Sequence, residues 1–141
     1  MINAIFHAHS GLRFLVLLAA VVALVVQASG AFGRRPYGRA SRISMAAFTG
    51  LLDLQILLGI TMVALGCLYG ALMGHLVMMA LAAIAAHGAS SYARRQTDAR
   101  RAHGVALVGI VLALALIAGG IAAIGRTPFT MLPRATCVAA G

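Results

Sequence analysis

Four long apolar runs make up most of the chain. Each has about 20 residues or more, the length that a helix needs to cross the ~30 Å hydrocarbon core of a bilayer. Because backbone N–H and C=O groups have no water partners in lipid, spans of this length fold as helices. The sequence therefore predicts an all-α integral membrane four-helix bundle that forms one domain over residues 1–141. The predicted spans are residues 5–30, 43–66, 71–91 and 103–125.

The composition also favours lipid as the surroundings of this chain. Hydrophobic residues make up 62% of it and charged residues 9%, whereas an ordinary soluble domain has roughly 25% charged residues. Such a chain has too few polar side chains to cover a surface that faces water. Its formal charge of +9 comes from arginines that lie mostly between the apolar runs, which is typical of membrane topology and not of nucleic-acid binding.

The arginines also predict an orientation. Residues 31–42 and residues 92–102 hold four arginines each, and the connection between the second and third runs holds none. Because basic loops stay in the cytoplasm, both termini are expected outside, on the periplasmic face of a bacterial inner membrane. The first basic loop follows the first run closely, which favours a retained helix over a cleaved signal peptide. These arginines are Arg34, Arg35, Arg39, Arg42, Arg94, Arg95, Arg100 and Arg101.

The two cysteines fall on the same predicted side of the membrane. Cys67 and Cys137 would both face the oxidising compartment, where a disulfide between them is feasible. Two free thiols agree equally well with the sequence. No CxxC or CxxCH spacing occurs, so the cysteines do not indicate a zinc ribbon, an iron–sulfur site or a covalently attached c-type haem.

Asp53 is the most unusual polar residue, because it is one of two acidic residues and lies in the middle of the second run. A carboxyl group at that depth is costly and marks a candidate functional site. Three interpretations remain open: pairing with Arg13 or His75, a neutral carboxyl group that is hydrogen-bonded to Thr49, and proton handling.

Two histidines and an arginine are expected to gather in the outer half of the bundle. His9 and Arg13 are four residues apart and therefore share one face of the first helix. His75 lies about five residues into the third helix, roughly 7 Å below the outer surface at ~1.5 Å per residue. The other three histidines, His7, His87 and His103, are expected to be interfacial polar residues with one edge in water.

Imidazoles on facing helices are what a b-type haem requires, since each ring offers one nitrogen to iron and donates its other N–H to an acceptor. His9 and His75 are therefore the candidate haem and metal ligands. Arg13 is the candidate partner of a haem propionate. Asp53 would support the site through hydrogen bonding or proton handling.

Four motifs resemble a family of small bacterial four-helix membrane proteins that are generally named cytochrome b. The resemblance spans nearly the whole chain and implies the four-helix fold and a bound haem b. In that family the position of Asp53 usually holds histidine, and the position of Phe14 often holds tryptophan, so this chain departs at Asp53. The motifs are HAHSGLRF from His7, DLQILLG from Asp53, HLVMM from His75 and RRQTD from Arg94.

Three functions agree with these features. The first is a small b-type cytochrome that carries electrons near the outer face, to or from quinone. The second is a cofactor-free accessory subunit of a respiratory or photosynthetic complex, since the Ala- and Gly-rich third and fourth helices favour close lateral packing. The third is metal handling, because imidazole and thioether groups suit copper; its candidates are His7, His9, His75, Met73, Met78 and Met79.

An electron carrier or a subunit is favoured over a stand-alone enzyme. The sequence has no Ser-His-Asp context, no phosphate-binding loop and no Gly-rich dinucleotide turn after a strand. The expected partners are therefore the lipid bilayer, quinone and other membrane subunits.

Overall fold

The computed structural model describes residues 1–130. It contains four α-helices, and no β-strand occurs within those residues. All four helices are long and apolar enough to cross a membrane, which confirms the prediction of four membrane-length helices. They are α1 (Ile2–Phe32), α2 (Arg39–Ala64), α3 (Leu72–Arg94) and α4 (Ala99–Ala123).

The helices extend further into the basic loops than the apolar runs indicate. α2 begins at Arg39 and α4 at Ala99, so arginines occupy their first turns. Arginine is a good helix former, and a criterion based on apolar residues alone does not detect it. The start of α4 is fixed by Asp98, whose carboxylate accepts a hydrogen bond from the backbone N–H of Arg101 at 2.6 Å. Such a side chain satisfies one of the N–H groups that a helix start leaves open.

The four helices form a ring. Consecutive helices pack against each other, and α1 packs against α4 to close the ring. Packing is most extensive between α3 and α4, then between α1 and α2, and then between α1 and α4. The α2–α3 contact is the weakest side of this ring. As a result α1 lies diagonally across from α3. Below, the basic end is the end that carries residues 33–38 and 95–98, and the far end carries the N-terminus and residues 65–71.

Small residues hold α3 and α4 together. Ala82, Ala86, Ala106 and Ala113 are fully buried. A Cβ atom added at Gly109 would lie 2.0 Å from the Cβ of Ala89, so the two backbones approach as closely as small side chains permit. Close backbone approach is how helices associate in lipid, where no hydrophobic drive brings them together.

The outer faces of the helices carry large apolar side chains. More than half of each of these side chains is exposed, as expected for surfaces that contact lipid. Examples from the four helices are Leu18, Val25, Leu57, Val77, Ile84, Val108 and Val111.

A buried hydrogen-bond network closes the basic end of the bundle. His103 is 1% exposed, and its Nδ1 lies 2.8 Å from Oε1 of Gln27. Gln27 in turn donates from Nε2 to the carbonyl of Ser41 at 3.0 Å and to Oγ of Ser44 at 3.2 Å. The network therefore joins α4, α1 and α2. The expectation that His103 is an interfacial residue with one edge in water is wrong, because these polar partners satisfy it inside the protein.

Gly30 and Tyr37 pack against the His103 ring. A Cβ atom at Gly30 would lie 2.2 Å from the His103 ring, so only glycine leaves room for the imidazole. The Tyr37 ring lies 5.1 Å from the His103 ring on its other side. Burial raises the pKa of the Tyr37 hydroxyl, and the positive charges of Arg94 and Arg42 offset this only in part.

Cys67 lies in the far-end connection. It is buried and disulfide-bonded. Gly66, directly before it, has a φ of +90°, a conformation that glycine adopts without strain. Cys137, the other cysteine of the sequence, lies outside the described residues.

We expect Gly109→Ala to lower the stability of the bundle by roughly 1–3 kcal/mol, since the added methyl group would overlap Ala89 in a packed interface. The matched control is Gly50→Ala in α2, where no atom lies within 4 Å of the added Cβ. That change should be neutral or stabilise by about 0.5–1 kcal/mol. Thermal unfolding followed by circular dichroism in detergent compares the two, and equal midpoints would contradict the close α3–α4 packing.

We also expect the cysteines to resist alkylation in the unreduced protein, because Cys67 is bonded and the chain has only one other cysteine. Mass spectrometry after iodoacetamide treatment should find no modified cysteine before reduction and two after it. Modification of both thiols in freshly purified, unreduced protein would contradict the bond.

Candidate functional site

A cavity of about 350 Å³ lies in the far-end half of the bundle. Cofactor and small-molecule sites typically occupy roughly 300–1,000 Å³. All four helices contribute to its wall, which is mostly apolar. The polar side chains among its lining residues are Ser10, His9, Arg13, Gln55, Tyr69, His75 and Arg126. The structure therefore brings together three of the four candidate residues from the sequence.

His9 is fixed by a reciprocal pair of hydrogen bonds between α1 and α2. Its Nδ1 donates to the backbone carbonyl of Gln55 at 3.0 Å, and Nε2 of Gln55 donates to the backbone carbonyl of His9 at 2.9 Å. Gly59, one helical turn after Gln55, leaves space for the ring, because a Cβ atom there would lie 3.3 Å from His9 Cε1. The imidazole therefore has little freedom to turn.

His75 is fixed in the same way between α3 and α4. Its Nδ1 donates to the backbone carbonyl of Gly120 at 2.9 Å. Gly120 is also required for space: a Cβ atom there would lie 2.7 Å from Met79 Cε and 3.0 Å from Met78 Cβ. Each of the two cavity histidines thus uses Nδ1 to hold a backbone carbonyl of the neighbouring helix.

These hydrogen bonds determine which nitrogen of each ring carries the proton. A carbonyl oxygen can only accept, so the hydrogen-bond network assigns the proton to Nδ1 in both rings. A neutral ring of this tautomer presents a lone pair at Nε2. Within residues 1–130, Nε2 of His9 and Nε2 of His75 make no hydrogen bond. Metal-bound histidines in proteins characteristically have this pattern, with the second ring nitrogen donating to a carbonyl or carboxylate.

Two guanidinium groups lie at the far end of the cavity. Arg13 extends from α1, contacts the face of the Phe14 ring at 4.8 Å and donates to the carbonyl of Thr130. Arg126 follows α4 and also lines the cavity. Guanidinium groups are suited to binding carboxylates and phosphates, so this end of the cavity favours an anionic group.

Asp53 does not line the cavity. Its Oδ1 accepts a hydrogen bond from Nε2 of His87 at 2.8 Å, across the α2–α3 contact. Both side chains are about half exposed, 52% for Asp53 and 49% for His87. The expected partners Arg13, His75 and Thr49 are wrong; the Thr49 hydroxyl donates to the carbonyl of Met45, in its own helix.

The orientation of the two helices explains this pairing. Helical side chains lean toward the N-terminus of their helix. Asp53 therefore leans toward the basic end, where α2 begins. His87 leans toward the far end, where α3 begins, so the two side chains meet. His87 was expected to have one edge in water; its side chain is about half exposed, and its Nε2–H also bonds to Asp53.

Gln55 is the functional residue that the sequence analysis missed. It is 8% exposed, and its Oε1 is buried with no hydrogen-bond partner within the described residues. This acceptor belongs to a residue that lines the cavity. The sequence does contain an indication of this role. Gln55 is a second polar residue two positions after Asp53, in a stretch that is otherwise apolar up to Gly59.

The set proposed for copper is not gathered in full at the cavity, since His7 does not line it. No group of three or more His, Cys, Asp or Glu side chains within residues 1–130 is placed to hold a metal ion. His7 lies outside the cavity lining and packs edge-on against Phe6 with ring centroids 5.6 Å apart. His9 and His75 remain as two imidazoles that line one cavity.

No protein-family profile, curated protein or solved structure matches this chain. The likeness to the small four-helix cytochrome b family therefore remains a prediction from the motifs, and the functional argument depends on the geometry of the cavity.

Proposed function

We propose that this protein is a small b-type cytochrome that carries electrons within a bacterial inner membrane. In this proposal His9 and His75 would hold the iron of a haem b through their Nε2 atoms. The four helices cross the membrane, the two basic loops face the cytoplasm, and the cavity and both termini lie toward the periplasm. The placement of the arginines supports this orientation, because basic loops are retained on the cytoplasmic side.

One observation carries the proposal. Two histidines from diagonally opposed helices line the same cavity, and each donates Nδ1–H to a backbone carbonyl while Nε2 makes no hydrogen bond within residues 1–130. An isolated interfacial histidine has no need of such an arrangement. Two histidines placed in this way on facing helices suit a planar group held from both sides.

The remaining lining residues also fit a haem. The wall is mostly apolar, and Gly59 and Gly120 keep the space beside the two imidazoles free of side chains. Arg13 and Arg126 would bind the two propionates through charge-assisted hydrogen bonds. A bound haem supplies one-electron chemistry at iron, and the protein supplies the ligands, the orientation and the exclusion of water. Asp53 has no part in holding the haem, since it lies outside the cavity.

A cofactor-free subunit of a larger membrane complex is the alternative. The weak α2–α3 contact favours it, because that side of the bundle exposes the polar Asp53–His87 pair and a partner helix would cover it. The two proposals differ in whether the purified protein contains haem.

Protein that is produced with an adequate haem supply should contain one haem per chain. The reduced-minus-oxidised absorption spectrum should show the sharp band of a six-coordinate haem. His9→Gln and His75→Gln should each remove that band, because either change deletes one axial ligand. Quantification as the pyridine complex gives the stoichiometry.

His7→Gln is the matched control for these variants. It makes the same chemical change two residues from His9, outside the cavity, and should leave the spectrum unchanged. Wild-type protein that is folded, saturated with haem during production and yet colourless would refute the cytochrome proposal and favour the subunit.

A second prediction tests the position of the haem. Gly59→Leu should exclude haem, because its side chain would project from a point 3.3 Å from the His9 ring into the cavity wall. Gly50→Leu makes the same change in the same helix, where no atom lies within 4 Å of the new Cβ, and should retain haem. Equal haem content in two folded variants would show that the haem is held elsewhere.

A further inference from the structure

The Asp53–His87 pair continues the cavity wall along the weakly packed α2–α3 contact. Ile56 and Ile60, three and seven residues after Asp53, line the cavity. Ala80, seven residues before His87, lines it from α3. Residues seven apart lie on nearly the same face of a helix. The pair therefore lies on the same two helix faces as the cavity wall, on the side toward the basic end.

The pair lies away from both ends of the bundle, and its side chains face the outside. Asp53 is 14 residues after Arg39 and 11 residues before Ala64, which puts it about 16–21 Å from the two ends of α2 at ~1.5 Å per residue. His87 is seven residues before Arg94, about 10 Å from the basic end of α3. About half of each side chain is exposed. An ionisable pair at this depth on a surface that faces lipid is costly, and such residues usually have a functional role.

The hydrogen-bonding capacity of the pair is only partly used. His87 donates Nε2–H to Oδ1 of Asp53, while Oδ2 of Asp53 makes no hydrogen bond within the described residues. A carboxylate oxygen accepts hydrogen bonds. Oδ2 of Asp53 is therefore available to a hydrogen-bond donor that reaches it through the hydrocarbon region.

We propose that Asp53 and His87 bind the hydroxyl head of a membrane quinol. The hydroxyl group donates to Oδ2 of Asp53, and the aromatic ring lies against the apolar α2–α3 surface. This inference rests on the proposed membrane placement and gives the proposed cytochrome its electron-donor class, but the binding itself does not require haem at His9 and His75.

The depth of the pair distinguishes a quinol from other lipids. Phospholipid head groups remain in the interfacial layer and do not reach the middle of α2, whereas the small ring of a quinol partitions into the hydrocarbon core. The acceptor oxygen of Asp53 also distinguishes a quinol from its quinone, because a quinol hydroxyl donates a hydrogen bond and a quinone carbonyl only accepts. The quinol should therefore bind more tightly than the corresponding quinone.

The test measures binding of decyl-tailed benzoquinol and naphthoquinol, and of their quinones, to protein in nanodiscs of phosphatidylethanolamine and phosphatidylglycerol. The measurements are made without oxygen, on protein with and without haem. We expect the wild type to bind at least one of the quinols about tenfold more tightly than its quinone, and Asp53→Asn and His87→Gln to weaken quinol binding about tenfold or more. A tenfold change in Kd corresponds to about 1.4 kcal/mol.

Asp98→Asn is the matched control, because it alters the other acidic residue at a helix cap, where asparagine serves as well as aspartate. It should bind quinol as the wild type does. Infrared difference spectra of the wild type provide a readout that needs no variant: quinol should shift a carboxylate band of the protein, and the shift should be absent in Asp53→Asn.

Three results would overturn the proposal: equal affinity for quinol and quinone, quinol affinity that is unchanged in a folded Asp53→Asn variant, or no infrared shift in the wild type. Loss of a co-purifying subunit in Asp53→Asn with unchanged quinol affinity would assign the pair to a partner helix instead. If quinol binds to haem-free protein but no haem is found in any preparation, the binding proposal stands and the cytochrome proposal fails.

Discussion

The bundle depends on hydrogen bonds that polar side chains make to backbone carbonyls of neighbouring helices. In an apolar environment an unsatisfied imidazole or amide is costly, so each such group must find a partner inside the protein. His9 bonds to the carbonyl of Gln55, and His75 bonds to the carbonyl of Gly120. His103 bonds to the side-chain amide oxygen of Gln27. These bonds join α1 to α2, α3 to α4, and α4 to α1, and they restrict the rotation of each helix about its axis. The same bonds orient the two imidazoles that line the cavity, so stability and the candidate site have a common origin.

The architecture was more predictable from the sequence than the site. Apolar length alone gave four helices, because the need to satisfy backbone groups leaves few other structures for such runs. The shared face of His9 and Arg13 followed from their spacing, and both line the cavity. The partner of Asp53 did not follow, since depth along a helix does not determine which neighbouring helix a side chain faces. His103 was misplaced because its position near a basic loop indicated water, whereas Gln27, 76 residues away, satisfies it in the interior. The sequence does not show which backbone carbonyl will accept a hydrogen bond from a side chain. The best indication is a glycine at or near that carbonyl, such as Gly59 or Gly120.

The site requires both halves of the chain. His9 belongs to α1 and His75 to α3, and these helices lie across the ring from each other. Neither half alone provides two ligands, and the α2–α3 side, where the halves contact each other least, is bridged by the Asp53–His87 hydrogen bond. A cofactor held by both histidines would therefore join the two halves and add stability where direct packing is weakest, because a ligand that binds only the folded state stabilises it.

The order of packing strength also bears on how the chain assembles. The two most extensive interfaces, α3 with α4 and α1 with α2, each join consecutive helices, and contacts between neighbours in sequence form with the smallest loss of chain entropy. Each helical hairpin can therefore form as soon as its second helix has been synthesised. The α1–α4 interface, which brings the first and last helices together, must wait until synthesis of α4 is complete. We therefore expect assembly to end with the docking of two preformed hairpins, the step that also forms the cavity between them.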